Sequence, residues 1–451
     1  MAIEATDQRA PRLKLLRDAL ESGTLRRVQR MINSLHPAEI ADLLESLPPA
    51  EREVVWELVD TQSDGDVLVQ LNEEVRAKLL GDMDFDELVA AAGGMDLDDL
   101  ADLVPDLPEA VSQQVIQSMD HQDRERLRSV MAYGEDTAGG LMDPDIVTVR
   151  PDVTLEVVLR YLRIRGELPD GSDALFVVNR FDRYLGYLYL TSLLTADPGK
   201  TVAELMDSGV DGIPAATSAN EVANLFEIRD LVTAPVVDPD GRLVGRITID
   251  DVVDVIREEA EHSILSMAGL AEDEDMFAPV VTSSRRRAIW LGVNLATAFI
   301  ASSVVGLFQA TIDQVVALAV LMPIVASMGG IAGSQTLTLI VRGLALGQVQ
   351  SSNARWLMFR ELAVGALNGI GWALVVAAAT VLWFGSWTLG GIIALALIIN
   401  LVVAALSGVV IPLMLRRMSI DPALAGSVML TTITDVVGFM VFLGLGALLL
   451  T

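Results

Sequence analysis

One carboxylate stands deep inside an apolar stretch. Asp435 lies in the run TTITDVVGFM at 431–440, and residues 424–449 contain no arginine or lysine to pair with it. A charge at membrane depth is costly, so it ordinarily faces a polar pathway or a partner. With Thr431, Thr432 and Thr434 beside it, Asp435 supplies the oxygen ligands that hard cations accept. The competing assignment is a protonated or hydrogen-bonded Asp held between helices. One carboxylate per chain is thin for a divalent ion, and a two-fold dimer, the commonest closed oligomer, would place two around a shared axis. Asp421, in SIDPALAG, opens the same stretch as either a helix cap or an entry-side carboxylate.

A second set of acids lies earlier in the chain. In DDVVDVIREEAEHSILSMAGL, Asp251, Asp254, Glu258 and Glu261 recur every three or four residues and make one acidic stripe on a helix, with Glu259 beside it. In DLDDLAD, Asp98 and Asp102 are four apart and share a face. Acids in a first helical turn usually complement the helix dipole or coat a solvated surface. The position of the first stripe, just before the apolar half, makes it a candidate coupling element instead.

These residues must be positioned by two different kinds of structure. A bilayer-crossing helix needs about twenty apolar residues, and five stretches qualify: roughly 287–308, 315–341, 360–384, 389–415 and 424–449. The second is interrupted by Pro323 and Gly329–Gly330, and Arg360 and Glu361 are placed at the membrane edge of the third. Arg285, Arg286 and Arg287 precede the first span, Arg342 and Arg355 separate the second and third, and Arg416 and Arg417 separate the fourth and fifth. The loops Gln309–Gln314 and Phe384–Thr388 carry no base. The positive-inside rule therefore puts the N-terminal half in the cytosol and, after five spans, the C-terminus outside.

Charge divides the chain at the same place. From Arg285 onward there are four acids and eight arginines, leaving 57 acids and 24 bases of the chain's 61 and 32 in residues 1–284. So acidic a first half excludes a nucleic-acid partner, whose phosphates it would repel. The chain has no cysteine, which rules out disulfides and thiolate chemistry. The first thirty residues carry charges every few positions and lack the apolar core of a signal peptide. No nucleophile–base pair, His cluster or phosphate loop marks an enzyme.

The acidic half contains two repeats. HPAEIADLLESLPPAE at 36–51 matches MDLDDLADLVPDLPEA at 95–110, within residues 10–133 that read as helix throughout and predict a small superhelix of stacked pairs. Between 141 and 256, LMDPDIVTVRPDVTLEVV matches LMDSGVDGIPAATSANEV, and LFVVNRFDRYLGYLYLTSLL matches APVVDPDGRLVGRITIDDVV. Each unit predicts a short strand, a helix, two strands around an Asp/Gly turn and a closing helix. This resembles a tandem pair of CBS domains, a regulatory module. Many such domains hold an adenosine ribose with Gly-x-x-Thr-x-x-Asp. The second unit has Gly245, Thr248 and Asp251, whereas the first has Gly186, Tyr189 and Ser192, so ATP binding rests on one copy.

Across nearly its whole length the chain resembles the MgtE magnesium channels. The resemblance is carried by GGLM at 139–142, DDVVDV from Asp250 to 255, DPA at 421–423 and Thr-Thr-x-x-Asp-x-x-Gly at 431–438. It implies a multidomain membrane protein with an all-α superhelical N domain (1–134), an α/β CBS pair (135–200 and 201–249), a connecting helix and linker (250–284) and a five-span all-α pore domain (285–451). It further implies a homodimeric Mg2+ channel in the cell membrane, with Asp435 on the ion path and Asp421 near its cytosolic entrance. By the same resemblance Asp98 and Asp102 match N-domain sensor acids, Asp251 and Asp254 their CBS partners, and Glu259 an acid of the connecting helix. Cytosolic Mg2+ bridging these acids would close the pore. Ile331 stands where the family often has Asn, and His262 and Ser263 replace acids of relatives, for which Glu258 and Glu261 can compensate by register. A coupled carrier of Mg2+, Mn2+ or Co2+, and a non-conducting metal sensor, are the alternatives; oxygen ligands do not rank these ions.

Overall fold

The structure is a computed structural model that describes residues 25–450, leaving out 94, 96, 170, 271–274, 351 and 419 and the side chains of Leu25, Arg27 and Asp98. The helical expectation for residues 10–24 lies outside the described residues. The chain divides into two compact units, Met1–Ala260 with Asp273–Pro279, and Glu261–Glu272 with Val280–Thr451.

The first unit begins with short helices: Leu25–Ile32, Pro37–Glu45, Pro49–Trp56, Asp64–Val69, Glu73–Asp82, Phe85–Ala92, Leu97–Leu103, Glu109–Ser118 and His121–Val130. None is long enough to be stable alone in water, so each depends on its packed face and its ends. Caps define the ends. Asn72 accepts from the Val75 amide, Asp84 forms a capping box with Glu87, and Asp120 accepts from the Asp123 amide. Leu44, Leu47, Val55, Leu68, Val75, Leu100 and Leu127 are fully buried between the helices. Two helix ends are closed by an arginine from the following helix. Arg52 donates to the Leu44 and Leu47 carbonyls, and Arg124 to those of Ile116, Gln117 and Met119.

The CBS-like pair follows as two three-stranded sheets with the same plan. In one, β1 (Thr148–Val149) lies parallel to β2 (Ala174–Val178), which pairs antiparallel with β3 (Tyr184–Tyr189); in the other, β4 (Ile213–Pro214), β5 (Thr233–Val237) and β6 (Leu243–Thr248) repeat the arrangement. The repeat extends to detail. Each antiparallel pair shifts register once, between Val177 and Val178 and between Val236 and Val237. Each turn is closed by an Asx oxygen: Asn179 accepts from the Phe181 and Arg183 amides, and Asp238 from those of Asp240 and Arg242.

The two LMD leaders are exchanged. Asp143 bridges to Arg246 on β6, whereas Asp207 bridges to Tyr187 on β3. A Cβ on Gly186 would lie 2.3 Å from the Asp207 carbonyl oxygen, so only glycine admits that approach. Asp143 and Arg246 add a mostly buried ion pair at 2.9 Å. The second CBS-like sheet is followed directly by the connecting helix, Ile249–Ala268.

Among the described residues, the membrane unit has five helices long and apolar enough to cross a bilayer: Val280–Leu307, Val316–Ala345, Ala354–Phe384, Trp387–Arg417 and Pro422–Leu450. They are spans one to five here. Gln309–Gln314, expected as a loop, forms a short helix between spans one and two. Span four is the hub, packed on spans two, three and five. Its Asn400 is completely buried and donates from Nδ2 to the Val325 carbonyl of span two at 2.9 Å. The amide fits because Gly329 and Gly438 have no side chains; a Cβ on either would come within 2.8 Å of it. Bulky residues such as Leu374, Leu382 and Trp387 point outward, where lipid or another subunit can cover them.

The helix of span three begins at Ala354, two turns before Glu361, whose side chain is only 5% exposed. The carboxylate is accommodated because Thr336 of span two donates to it at 3.2 Å and Arg360 pairs with it.

Candidate cation sites

Asp435 sits in the middle of span five at the border of its packed stripe. Thr434, Gly438 and Phe442 form that stripe and are buried, while Asp435 is partly exposed. The three threonines separate accordingly. Thr431 and Thr432, one turn earlier, share the side of Asp435, whereas Thr434 is fully buried and does not. Their hydroxyls donate back into the helix: Thr431 to the Ser427 carbonyl and Thr432 to that of Val428. Both retain lone pairs for a cation or its water. Among the described residues no three His, Asp or Glu side chains converge to hold a metal ion. A single chain thus presents Asp435 as one isolated carboxylate on an accessible face.

Asp421 precedes the first turn of span five and caps it. Its Oδ1 accepts from the Ala423 amide at 2.8 Å and its Oδ2 from that of Leu424 at 3.1 Å. Of the two roles open from the sequence, the cap is present in these bonds. The same Oδ2 lies 3.4 Å from Nε2 of His262. Nearby, Met267 packs on the cluster of Leu337, Val341, Ile411, Leu415 and Leu430, and Gly269 lies against the Trp290 ring. The end of the connecting helix is thereby seated in the membrane unit. His262, one of the departures from relatives, occupies a defined contact, whereas Ile331 points outward from span two.

The acids of the first unit fall into distinct environments. Asp102, at the end of the helix Leu97–Leu103, is open to solvent on one side. Crowding by protein on the other, then the field of Glu135 with smaller contributions from Glu258 and Asp251, pushes its carboxyl up to about 6 against the opposing charge of Arg76. Asp251 at the start of the connecting helix is pushed to about 6, first by burial and then by Asp250 and Asp143. Bonds from the Thr248 amide and hydroxyl oppose that shift. Asp254 is raised by burial, with Arg257 opposing. Glu259 instead accepts from Nδ2 of Asn220 at 2.9 Å. The side chain of Asp98 lies outside the described residues.

Asp102 thus feels the charges of Glu258 and Asp251, an approach that neither the i, i+4 spacing nor the stripe reveals by itself. Glu135 was not singled out from sequence. It lies in a turn just before GGLM, where no periodicity distinguishes it. Together these acids concentrate negative charge around Asp102.

Comparison with known proteins follows the same divisions. Residues 322–445 match the MgtE family model, described as a divalent cation transporter; residues 35–136 match the MgtE intracellular N domain, and 138–199 and 202–258 the CBS domain. Over 440 residues the chain is 32% identical to the magnesium transporter MgtE of Thermus thermophilus, covering 96% of this chain and 98% of that one. The chain belongs to the MgtE family. A second MgtE relative, the magnesium transporter of Bacillus subtilis, is 28% identical over 426 residues and is covered to 94%, as is this chain. Among solved structures, the cytosolic domain of the Mg2+ channel MgtE in complex with ATP is 35% identical, with a TM-score of 0.48 over 53% of this chain and 98% of that one. In MgtE terms, the candidate pore carboxylate lies in the transporter match, and Asp102 and Asp251 lie in the N-domain and CBS matches.

Proposed function

We propose that this chain is one subunit of a homodimeric Mg2+ channel, with its acidic half in the cytosol and its C-terminus outside. The observation that carries the proposal is the isolated carboxylate of Asp435 at mid-span, on a face flanked by Thr431 and Thr432. A second copy related by a two-fold axis supplies the second carboxylate that a divalent ion requires. Retained waters complete its octahedral shell. The names of the MgtE relatives support magnesium as the ion. Asp421 then serves two ends, capping span five and lining the cytosolic approach.

The gate in this proposal is electrostatic. Without a cation, Asp102, Asp251, Glu258 and Glu135 repel, and Asp254 and Glu259 add to the charge along the connecting helix. At about 5 Å and an effective dielectric of ~20, each close like-charge pair contributes roughly 3 kcal/mol. Driving a gate from mostly open to mostly closed needs roughly 5.5 kcal/mol, so cytosolic Mg2+ relieving two or three such pairs suffices after salt screening. Asp98 belongs to the same set by its place on the helix Leu97–Leu103. A nucleotide such as ATP at the second CBS unit would use Gly245, Thr248 and Asp251, placing it on one of the sensor acids.

The test is Mg2+ flux into proteoliposomes by the wild type and Asp435→Ala, with and without Na+ and H+ gradients. The proposal expects gradient-independent flux that is lost in the variant. Flux that requires a counter-ion gradient would establish a coupled carrier instead, and equal flux in both proteins would remove Asp435 from the path.

A further inference from the structure

Arg52 does more than close a helix. Its Nε and Nη2 donate to the Leu44 and Leu47 carbonyls, much as Arg124 closes the helix Glu109–Ser118, but its Nη1 donates to Oδ2 of Asp275 at 2.9 Å. Asp275 lies beyond the connecting helix, 223 residues on in the chain. Both side chains are nearly inaccessible, at 1% and 6% exposure. The rest of Asp275 is held as firmly. Its amide donates to Oε2 of Glu74 at 2.9 Å, and its Oδ1 accepts from the Phe277 amide at 2.8 Å. A buried charge pair is retained only when further hydrogen bonds satisfy both partners, and here every arm is used. Two residues of the N-terminal helical domain, Arg52 and Glu74, thus grip Asp275, and the Phe277 amide fixes its remaining oxygen. Span one begins at Val280, immediately after it.

We propose that Arg52 is a positioning residue for the gate, acting through Asp275 to tie the leader of span one to the N-terminal helical domain. This rests on the gating proposal above. The connecting helix is one route from the cytosolic acids to the membrane; the clamp is a second, and it needs no cation. It keeps the N-terminal domain docked while Asp102 and Glu135 repel Asp251 and Glu258, so Mg2+ need only relieve that repulsion rather than also recruit the domain. Undocking would hydrate both charges, so the pair resists small displacements and releases as a unit.

The experiment is Mg2+ current through the full-length wild type, Asp275→Asn and Arg52→Met in excised membrane patches, with Mg2+ varied on the cytosolic face. Asp275→Asn preserves shape and leaves the Arg52 helix cap intact, so it decides the matter alone if Arg52→Met does not fold. The expected result is a rise in half-inhibitory Mg2+ of roughly tenfold, a coupling of ordinary size, with maximal current at zero cytosolic Mg2+ unchanged. A wild-type inhibition curve in Asp275→Asn overturns the clamp and leaves the gating proposal standing. If the wild type itself is not inhibited by cytosolic Mg2+, the gating proposal fails and the clamp fails with it.

Discussion

Asp102, on a helix of the N-terminal domain, and Asp251, at the head of the connecting helix, lie in one electrostatic field, and the carboxyl of each is pushed up to about 6. Burial is the first cause for both, and like charge adds to it. The arrangement therefore favours whatever neutralises carboxylates, whether cation or proton.

That gives a pH dependence with a definite sign. Asp102 feels Glu258 and Asp251, so its carboxyl binds protons more tightly when docked than when apart, and docking is strengthened as pH falls through about 6 and levels off below the ordinary value near 4. Above about 7 both acids are ionised in either state and the repulsion is complete. Lowering cytosolic pH from 7.5 to 5.5 without Mg2+ should reduce current by about threefold. Asp102→Asn with Asp251→Asn should remove the response. Mg2+ binding at pH 6 should also release protons, measurable by calorimetry in buffers of different ionisation enthalpy.

Asn400 links span four to the carbonyl of Val325 and fills the space left by Gly329 and Gly438. Asn400→Ala loses the bond and opens a cavity, at a cost of about 1–3 kcal/mol, seen as a lower melting temperature in detergent. Gly438→Ala acts differently. Its new Cβ meets Asn400 Nδ2 at 2.8 Å, so the Asn400 amide or span five must shift. Since Gly438 lies one turn from Asp435, maximal Mg2+ flux should fall even in protein that remains folded.

Arg124 provides the counterpart to Arg52. It closes a helix end in the same way, spending its bonds on the carbonyls of Ile116, Gln117 and Met119. Arg124→Met should lower thermal stability by about 1 kcal/mol, the size of a lost cap. The half-inhibitory Mg2+ should stay at its wild-type value, because no leader of a span is held there. A shift equal to that of Asp275→Asn would show that loosening the domain, rather than releasing Asp275, moves the gate.

Much of this organisation is legible in the sequence because long apolar runs and repeated units admit few alternatives. Apolar composition marks the bilayer rather than the helix, however. Span one starts at Val280 and carries its helix through Arg285, Arg286 and Arg287 before the apolar run begins. The burial of Glu361 is not legible, because its partner Thr336 belongs to another span and no spacing rule reveals it. The leaders of the CBS-like units are nearly identical, so nothing local says that Asp143 goes to Arg246 and Asp207 to Tyr187. Among so many acids, only packing separates Asp251 from Glu259, which Asn220 engages. Asp275 was invisible for the same reason: alone it is one more acid in a charged linker.

The most direct test of the central claim is current through the wild type and Asp435→Asn, with Mg2+ as the only permeant cation and cytosolic Mg2+ stepped from nominally zero to saturating. The account predicts wild-type current that shuts off as cytosolic Mg2+ rises, and none from Asp435→Asn at any concentration in protein that still assembles. Undiminished Mg2+ current in Asp435→Asn would contradict it.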